Sequence, residues 1–265
     1  MQTSIQLYTL RDALEADLDG TLAQVAARGF TAVEPYDFVR RAEAMAAALA
    51  AHGLVAPTGH AMLATTSFVN PDATASDTPV PPPSAVFDAA ERLGMTTVIE
   101  PCVVPERWQT VDQIRETAEL LNAAAAEGAA RGIRVGYHNH AHELEVTFDG
   151  KTGLEVFAEL LDPRVVLEVD LYWVARAGLD GPALLRRLGD RVIALHVKDG
   201  TLEAEKTGQY PPTDQVVAGE GNVPLAAAVA AASAVEVAVV EFDFFDGDLF
   251  EVCEQSRRFI DGLAA

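Results

Sequence analysis

Short apolar runs rich in β-branched residues alternate along this chain with longer runs rich in Ala and Leu. The first kind has the composition of buried strands, and the second that of helices packed by one face. The pattern predicts strands at SIQLYTL, TAVEPY, LVAPTGHA, TTVIEP, IRVGYHNH, RVVLEVDL, RVIALHVKD and VEVAVVEF. Helices are predicted near residues 18–28, 39–52, 111–131, 153–161, 181–188, 223–232 and 248–263. Gly29, Gly53, Gly94, Gly132 and Gly189 fall between a helix and the next strand, where a residue that accepts positive φ ends a helix at low cost. The last three strands are near-continuous apolar runs, as expected for strands covered on both faces. Eight βα units in unbroken succession predict one domain over residues 1–265. They predict an α/β fold of the closed (β/α)8 kind, a TIM barrel, with a doubly wound open sheet as the alternative.

Two connections are long. Residues 70–84 (NPDATASDTPVPPPS) are polar and Pro-rich and are expected to form an irregular loop after the third strand. Residues 201–222, with Tyr210, Pro211, Pro212 and a GEG triplet, follow the seventh. In a parallel barrel both lie on the face that carries active sites, where long loops serve as lids or substrate walls.

Several strands end in residues able to bind a divalent metal: His138 and His140 with Glu143 just beyond, Asp170, His196 and Glu241. A carboxylate at the end of an apolar strand is costly unless paired or metal-bound. A barrel gathers these strand ends around one mouth. Strand alternation sets His138 and His140 on one side. His138 is the choice for the metal, with Asp170, His196 and Glu241, and His140 lies nearer solvent toward substrate. Mixed carboxylate and imidazole donors favour Mn²⁺, Zn²⁺, Co²⁺ or Fe²⁺ over Ca²⁺, with Mg²⁺ as a further candidate. Glu34, His60 and Glu100 end the second, third and fourth strands and are placed to meet substrate. Lys198 shares a strand side with His196, which suits a substrate-oxygen ligand, an acid, or the rival role of a Schiff-base lysine. Asp199 is expected to be a turn or cap residue. Tyr8, Trp108, Tyr172 and above all Trp173 offer flat apolar walls.

The formal charge is −21 and the sequence pI about 4.5. A field of that sign repels phosphate backbones, so no nucleic-acid partner is expected. No apolar run is long enough for a membrane span. MQTSIQLYTLR enters a strand directly, so a secretory leader is not expected. Two distant cysteines, Cys102 and Cys253, suggest neither a disulfide framework nor a zinc knuckle and fit a reduced, cytoplasmic setting.

QLYTLRDAL, AVEPY, GYHNHAHE, VDLYWVARAG, HVKDG, GEG and VEFD together resemble the sugar phosphate isomerase/epimerase family of the xylose-isomerase-like barrels. The resemblance spans nearly the whole chain. It implies one divalent metal held by residues of the fifth to eighth strands. Asp170, His196 and Glu241 match three of those ligands, and His138 stands where relatives have a Glu. The strand-five and strand-eight glutamates of relatives also form their acid/base pair, which implies Glu241 as one member here, facing His138, Glu143 or Glu34. Trp173 stands where relatives have a His. The implied reaction is isomerisation or epimerisation of an α-hydroxy ketone, a ketose or keto-sugar, through a metal-stabilised enediolate. The alternatives are dehydration of an inosose or keto-sugar on the same scaffold, or a barrel that binds sugar without catalysis. A non-phosphorylated sugar or cyclitol is the expected partner, and a homodimer the expected assembly.

Overall fold

A computed structural model of the chain describes residues 1–206 and 208–263. Thr207, inside the second long connection, and the last two residues of the expected domain lie outside that set.

Eight parallel strands form the core sheet: β1 Gln2–Gln6, β2 Ala32–Glu34, β3 Thr58–His60, β4 Thr97–Glu100, β5 Arg134–His138, β6 Val166–Asp170, β7 Val192–His196 and β8 Val237–Val240. Their order is β2-β1-β8-β7-β6-β5-β4-β3. Parallel bridges Ala32↔Val55 and Tyr36↔His60 join the two edges, so the sheet closes into a barrel. Around it run α1 Leu18–Ala27, α2 Ala42–His52, α3 Pro83–Leu93, α4 Val111–Ala129, α5 Gly153–Leu160, α6 Gly181–Leu188, α7 Leu225–Ala231 and α8 Leu249–Leu263. The open-sheet alternative is thereby excluded.

The helices start and stop where their sequences direct. Thr152 and Glu155 form a reciprocal capping box at α5, which satisfies two otherwise orphan N–H groups. Asp180 caps α6 and Thr110 caps α4. Gly53 and Gly94 end α2 and α3 at φ +67° and +69°, values that a side chain would strain. Between barrel and helices lies a continuous apolar layer from Ile5 and Leu22 through Phe87, Leu121 and Leu167 to Ile260.

Parallel register sets the polar residues side by side inside the barrel. Gln6 lies opposite Glu34, His138 opposite Glu168, and Asp170 opposite His196. Against β7, β6 shows a register irregularity between Leu167 and Glu168, a feature that re-aims side chains next to active sites.

The first long connection is more ordered than its composition suggests. Ser67–Val69 pairs antiparallel with Ala75–Pro79, so an expected irregular loop begins as a hairpin. The turn is closed by Asn70 N–H to Thr74 O at 2.9 Å and by Thr74 N–H to the Asp72 carboxylate at 3.1 Å. These are the side-chain turn contacts that Asn and Asp supply. The second connection folds back through a short pairing of Asp199–Gly200 with Gln215–Val216. Asp199 is the predicted cap residue: its carboxylate accepts N–H bonds from Gly200, Gly219, Gly221 and Val223 at 2.8–3.0 Å.

Gly128 sits where α4 turns into β5. A Cβ there would lie 2.8 Å from the Ile133 carbonyl and 3.2 Å from the Phe87 ring. Gly128→Ala therefore sets a helix-propensity gain of about 1 kcal/mol against overpacking that costs about 1–3 kcal/mol. Net destabilisation on the order of 1 kcal/mol is expected in urea unfolding. A stabilised variant would contradict this packing.

Candidate active site

Glu168 lies at the centre of the barrel mouth, 1% exposed. One oxygen, Oε2, is 2.7 Å from His60 Nε2, 3.0 Å from His138 Nδ1 and 3.0 Å from His196 Nε2. The other, Oε1, is buried without a hydrogen-bond partner. Glu34 supports the same layer. It accepts from Gln6 Nε2 at 2.9 Å, contacts His196 Nε2 at 2.8 Å, and takes the Thr58 hydroxyl on its second oxygen. The His60 and His196 rings stack at 5.5 Å and 4°.

Above this layer lies a second group. Asp170 Oδ1 accepts the Tyr172 and Trp173 N–H groups at 2.9 and 3.1 Å, capping the short helix Leu171–Arg176. Asp170 Oδ2 lacks a hydrogen bond of normal geometry but lies 2.9 Å from Lys198 Nζ, 3.9 Å from His138 Nε2 and 4.0 Å from His196 Nδ1. Glu241 Oε2 is 2.8 Å from both His196 Nδ1 and Lys198 Nζ. Lys198 also reaches Asp243 at 2.8 Å, and Asp243 is held by Gln215.

Charge regulation follows from this packing. Burial favours a neutral His196, but Glu168 and Glu241 outweigh it and hold the ring protonated well above its ordinary range. Burial and the neighbouring His196 push His138 down to about 3, so its ring is neutral. His140 is likewise neutral, through burial and then His138. Burial raises Asp170 to about 6 against the pull of Lys198. Burial disfavours the Lys198 ammonium, yet Asp170, Asp243 and Glu241 raise it well above the usual lysine range. A Schiff-base lysine needs the opposite shift, so that rival role loses its support.

These residues suit a divalent ion. Asp170, His196 and Glu241 bring donor atoms within 4.8 Å of one another, His138 Nε2 lies 3.9 Å from Asp170 Oδ2, and the opposite imidazole nitrogens are held by Glu168 and Glu34. A carboxylate behind each histidine fixes the ligand tautomer and raises its basicity. The surplus of carboxylates matches a cation that displaces the His196 proton. A lower grouping of His60, His138, Glu168 and His196 also brings donor atoms close. In it Glu168 Oε2 is already shared by all three imidazoles, while Oε1 has no hydrogen-bond partner.

The other sequence-predicted residues divide. His60, His138, His140, Glu241 and Tyr8 line the cavity. Glu34 lies beneath it as a support for His196. Glu143 is turned away: its oxygens take the Tyr137 hydroxyl at 2.7 Å and the His140 N–H at 2.9 Å. Glu100 is also engaged, with Leu63 and Ala64 N–H groups at 2.6 and 2.7 Å. Both pin loops and neither lines the cavity. Trp173 backs His140 and Lys198, at 5.7 Å from each. Trp108 is core, packed on Tyr137 and Phe157. Sequence reading missed Glu168 and Asp243, which stand two residues from Asp170 and Glu241, a spacing that sets side chains on the same strand side. Tyr210 comes from a distant loop and hydrogen-bonds Tyr8. Both cysteines are free and buried.

The comparisons with known proteins agree with this architecture. The family described as xylose isomerase-like TIM barrel matches residues 22–243. An uncharacterized protein of Mycobacterium leprae, ML2432, is 30% identical over 165 residues. That match spans 56% of this chain and 55% of the relative. A sugar phosphate isomerase/epimerase from Parabacteroides distasonis superposes with TM-score 0.75 at 19% identity, covering 100% of this chain and 96% of its own. The zinc-bound structure of the IolI protein superposes with TM-score 0.73 at 14% identity, covering 99% and 98%. Among the described residues no helix is long and apolar enough to cross a membrane.

Burial pushes Glu100 up to about 7 from 4.5, against three backbone N–H bonds. The folded state then keeps a proton that the unfolded chain releases, so stability falls as pH rises through that window. Glu100→Gln removes this dependence. Its stability relative to wild type should rise by on the order of 3 kcal/mol between those two pH values in urea unfolding. A pH-independent difference would contradict the assignment. By its fold and matched residues, this chain belongs to the xylose isomerase-like TIM barrel family.

Proposed function

We propose that the protein is a metal-dependent isomerase or epimerase acting on a sugar-like α-hydroxy ketone. One observation carries this reading: donor atoms of Asp170, His196 and Glu241 gather at the barrel mouth with His138 beside Asp170, and both imidazoles are held from behind by buried carboxylates. His138, Asp170, His196 and Glu241 are the proposed ligands, and the zinc in the IolI structure supports a metal in this fold. A bound divalent ion would supply Lewis-acid polarisation of a carbonyl and its adjacent hydroxyl, which acidifies the α-proton.

The chain's own groups do the rest. Glu241 lines the cavity and is the proposed base for the α-proton. His140 also lines it, as a neutral ring with an unpartnered Nδ1, and is the proposed opposite group. It replaces Glu143 and Glu34, whose oxygens are already engaged. Lys198, ringed by three carboxylates, is proposed to balance charge and hold Glu241 in place. Returning the proton to the other face gives an epimer, and to the neighbouring carbon an isomer.

Metal analysis of the purified protein should find near one ion per chain, lost in the Asp170→Ala, His196→Ala double variant. Glu168→Gln, which touches no proposed ligand atom on the metal side, should weaken metal affinity by about 10–100-fold. Incubation with an α-hydroxy ketone in D₂O should incorporate deuterium at the α-carbon only in metal-loaded protein. Failure to retain Mn²⁺, Zn²⁺, Co²⁺ or Fe²⁺ would defeat the reading. An unsaturated product would move the protein to the dehydratases.

A further inference from the structure

The cavity over the histidine–carboxylate floor encloses about 420 Å³, within the range that takes drug-sized ligands. Its two sides differ sharply. His60, His138, His140, Glu241 and Asp243 make the polar floor. The cavity is also lined by Phe38 from the segment after β2 and by Met62, Phe68, Val69 and Val80 from the connection after β3. Phe68 stands on the hairpin 39% exposed, one of the few large apolar side chains so open to solvent.

This wall is unsuited to a bare polyol. A sugar hydroxyl set against it would lose water and gain no partner, at about 1–3 kcal/mol each. Besides the floor and the hydroxyls of Tyr8, Tyr36, Thr78 and Tyr210, the polar residues that line the cavity are already committed. Asp37 pairs with Arg40 and Arg41, and the Asn70 amide donates to Thr74 Oγ1 at 3.0 Å. Among the described residues no Arg or Lys lines the cavity, so nothing there answers a phosphate or carboxylate.

We infer that the substrate is amphiphilic: a sugar-like end on the polar floor, and an uncharged, aromatic-sized substituent, joined as in an aryl glycoside, against the Phe38, Met62, Phe68 and Val80 wall. This rests on the proposed function, since the floor must hold the reacting end. The hairpin is then the element that selects the substituent. Its two strands and turn present Phe68 and Val69 toward the cavity while their backbone groups pair with each other.

Calorimetric titration of the metal-loaded full chain with methyl and phenyl β-D-glucopyranosides, and with the matching galactopyranosides, tests this. At least one phenyl compound should bind roughly tenfold tighter than its methyl partner. Phe68→Ser and Met62→Gln should each erode that gain while leaving the methyl compounds and the metal content unchanged. Phe68 is surface-exposed, so its replacement leaves the core intact. Equal affinity within every pair, or no phenyl compound bound at millimolar concentration, in protein that retains its metal would overturn the inference and leave the metal reading standing. A phenyl preference in protein that binds no metal would support the apolar subsite and count against the metal reading.

Discussion

A carboxylate that no bulk solvent reaches must find its compensation inside the protein, and Glu168 finds it in three imidazoles. Its contacts to His60, His138 and His196 are what give the barrel mouth its geometry. An unpaired buried charge costs several kcal/mol. Each histidine is therefore drawn to the same oxygen, and His60 and His138 also line the cavity. The parallel register makes this arrangement available, because β5 sets His138 beside Glu168 and β7 sets His196 beside Asp170. Without Glu168, His138 would have no anchor and its Nε2 no fixed direction.

The same electrostatics explain how the site tolerates so many acids. Glu34, Glu168, Asp170, Glu241 and Asp243 lie within one small volume, all buried. Lys198 binds three of them and His196 touches the rest. Beside His138 the negative charge comes from Glu168, one strand over and one layer deeper.

Much of this was legible in the chain before any coordinates. The alternation of β-branched and Ala-rich runs predicts the barrel, and Asp170, His196 and Glu241 stand out because each ends an apolar strand. Glu168 was equally visible in VLEVD, where two-residue spacing sets it beside Asp170, but a lone carboxylate inside an apolar run draws attention only once its partners are known. Glu143 and Glu100 show the converse. Both follow strand ends as catalytic acids do, and only the backbone N–H groups around them show that they hold loops. The hairpin after β3 was hidden by its Pro-rich flank, and with it the apolar wall that separates this cavity from one shaped for a free sugar.

The central claim is that one divalent ion sits above the Glu168 layer. Diffraction from crystals grown with Mn²⁺, recorded above the manganese absorption edge, tests it most directly. The account predicts a single anomalous peak bounded by His138 Nε2, Asp170 Oδ2, His196 Nδ1 and Glu241 Oε2. No peak at the mouth, or a peak among His60, His138, Glu168 and His196 instead, would contradict it.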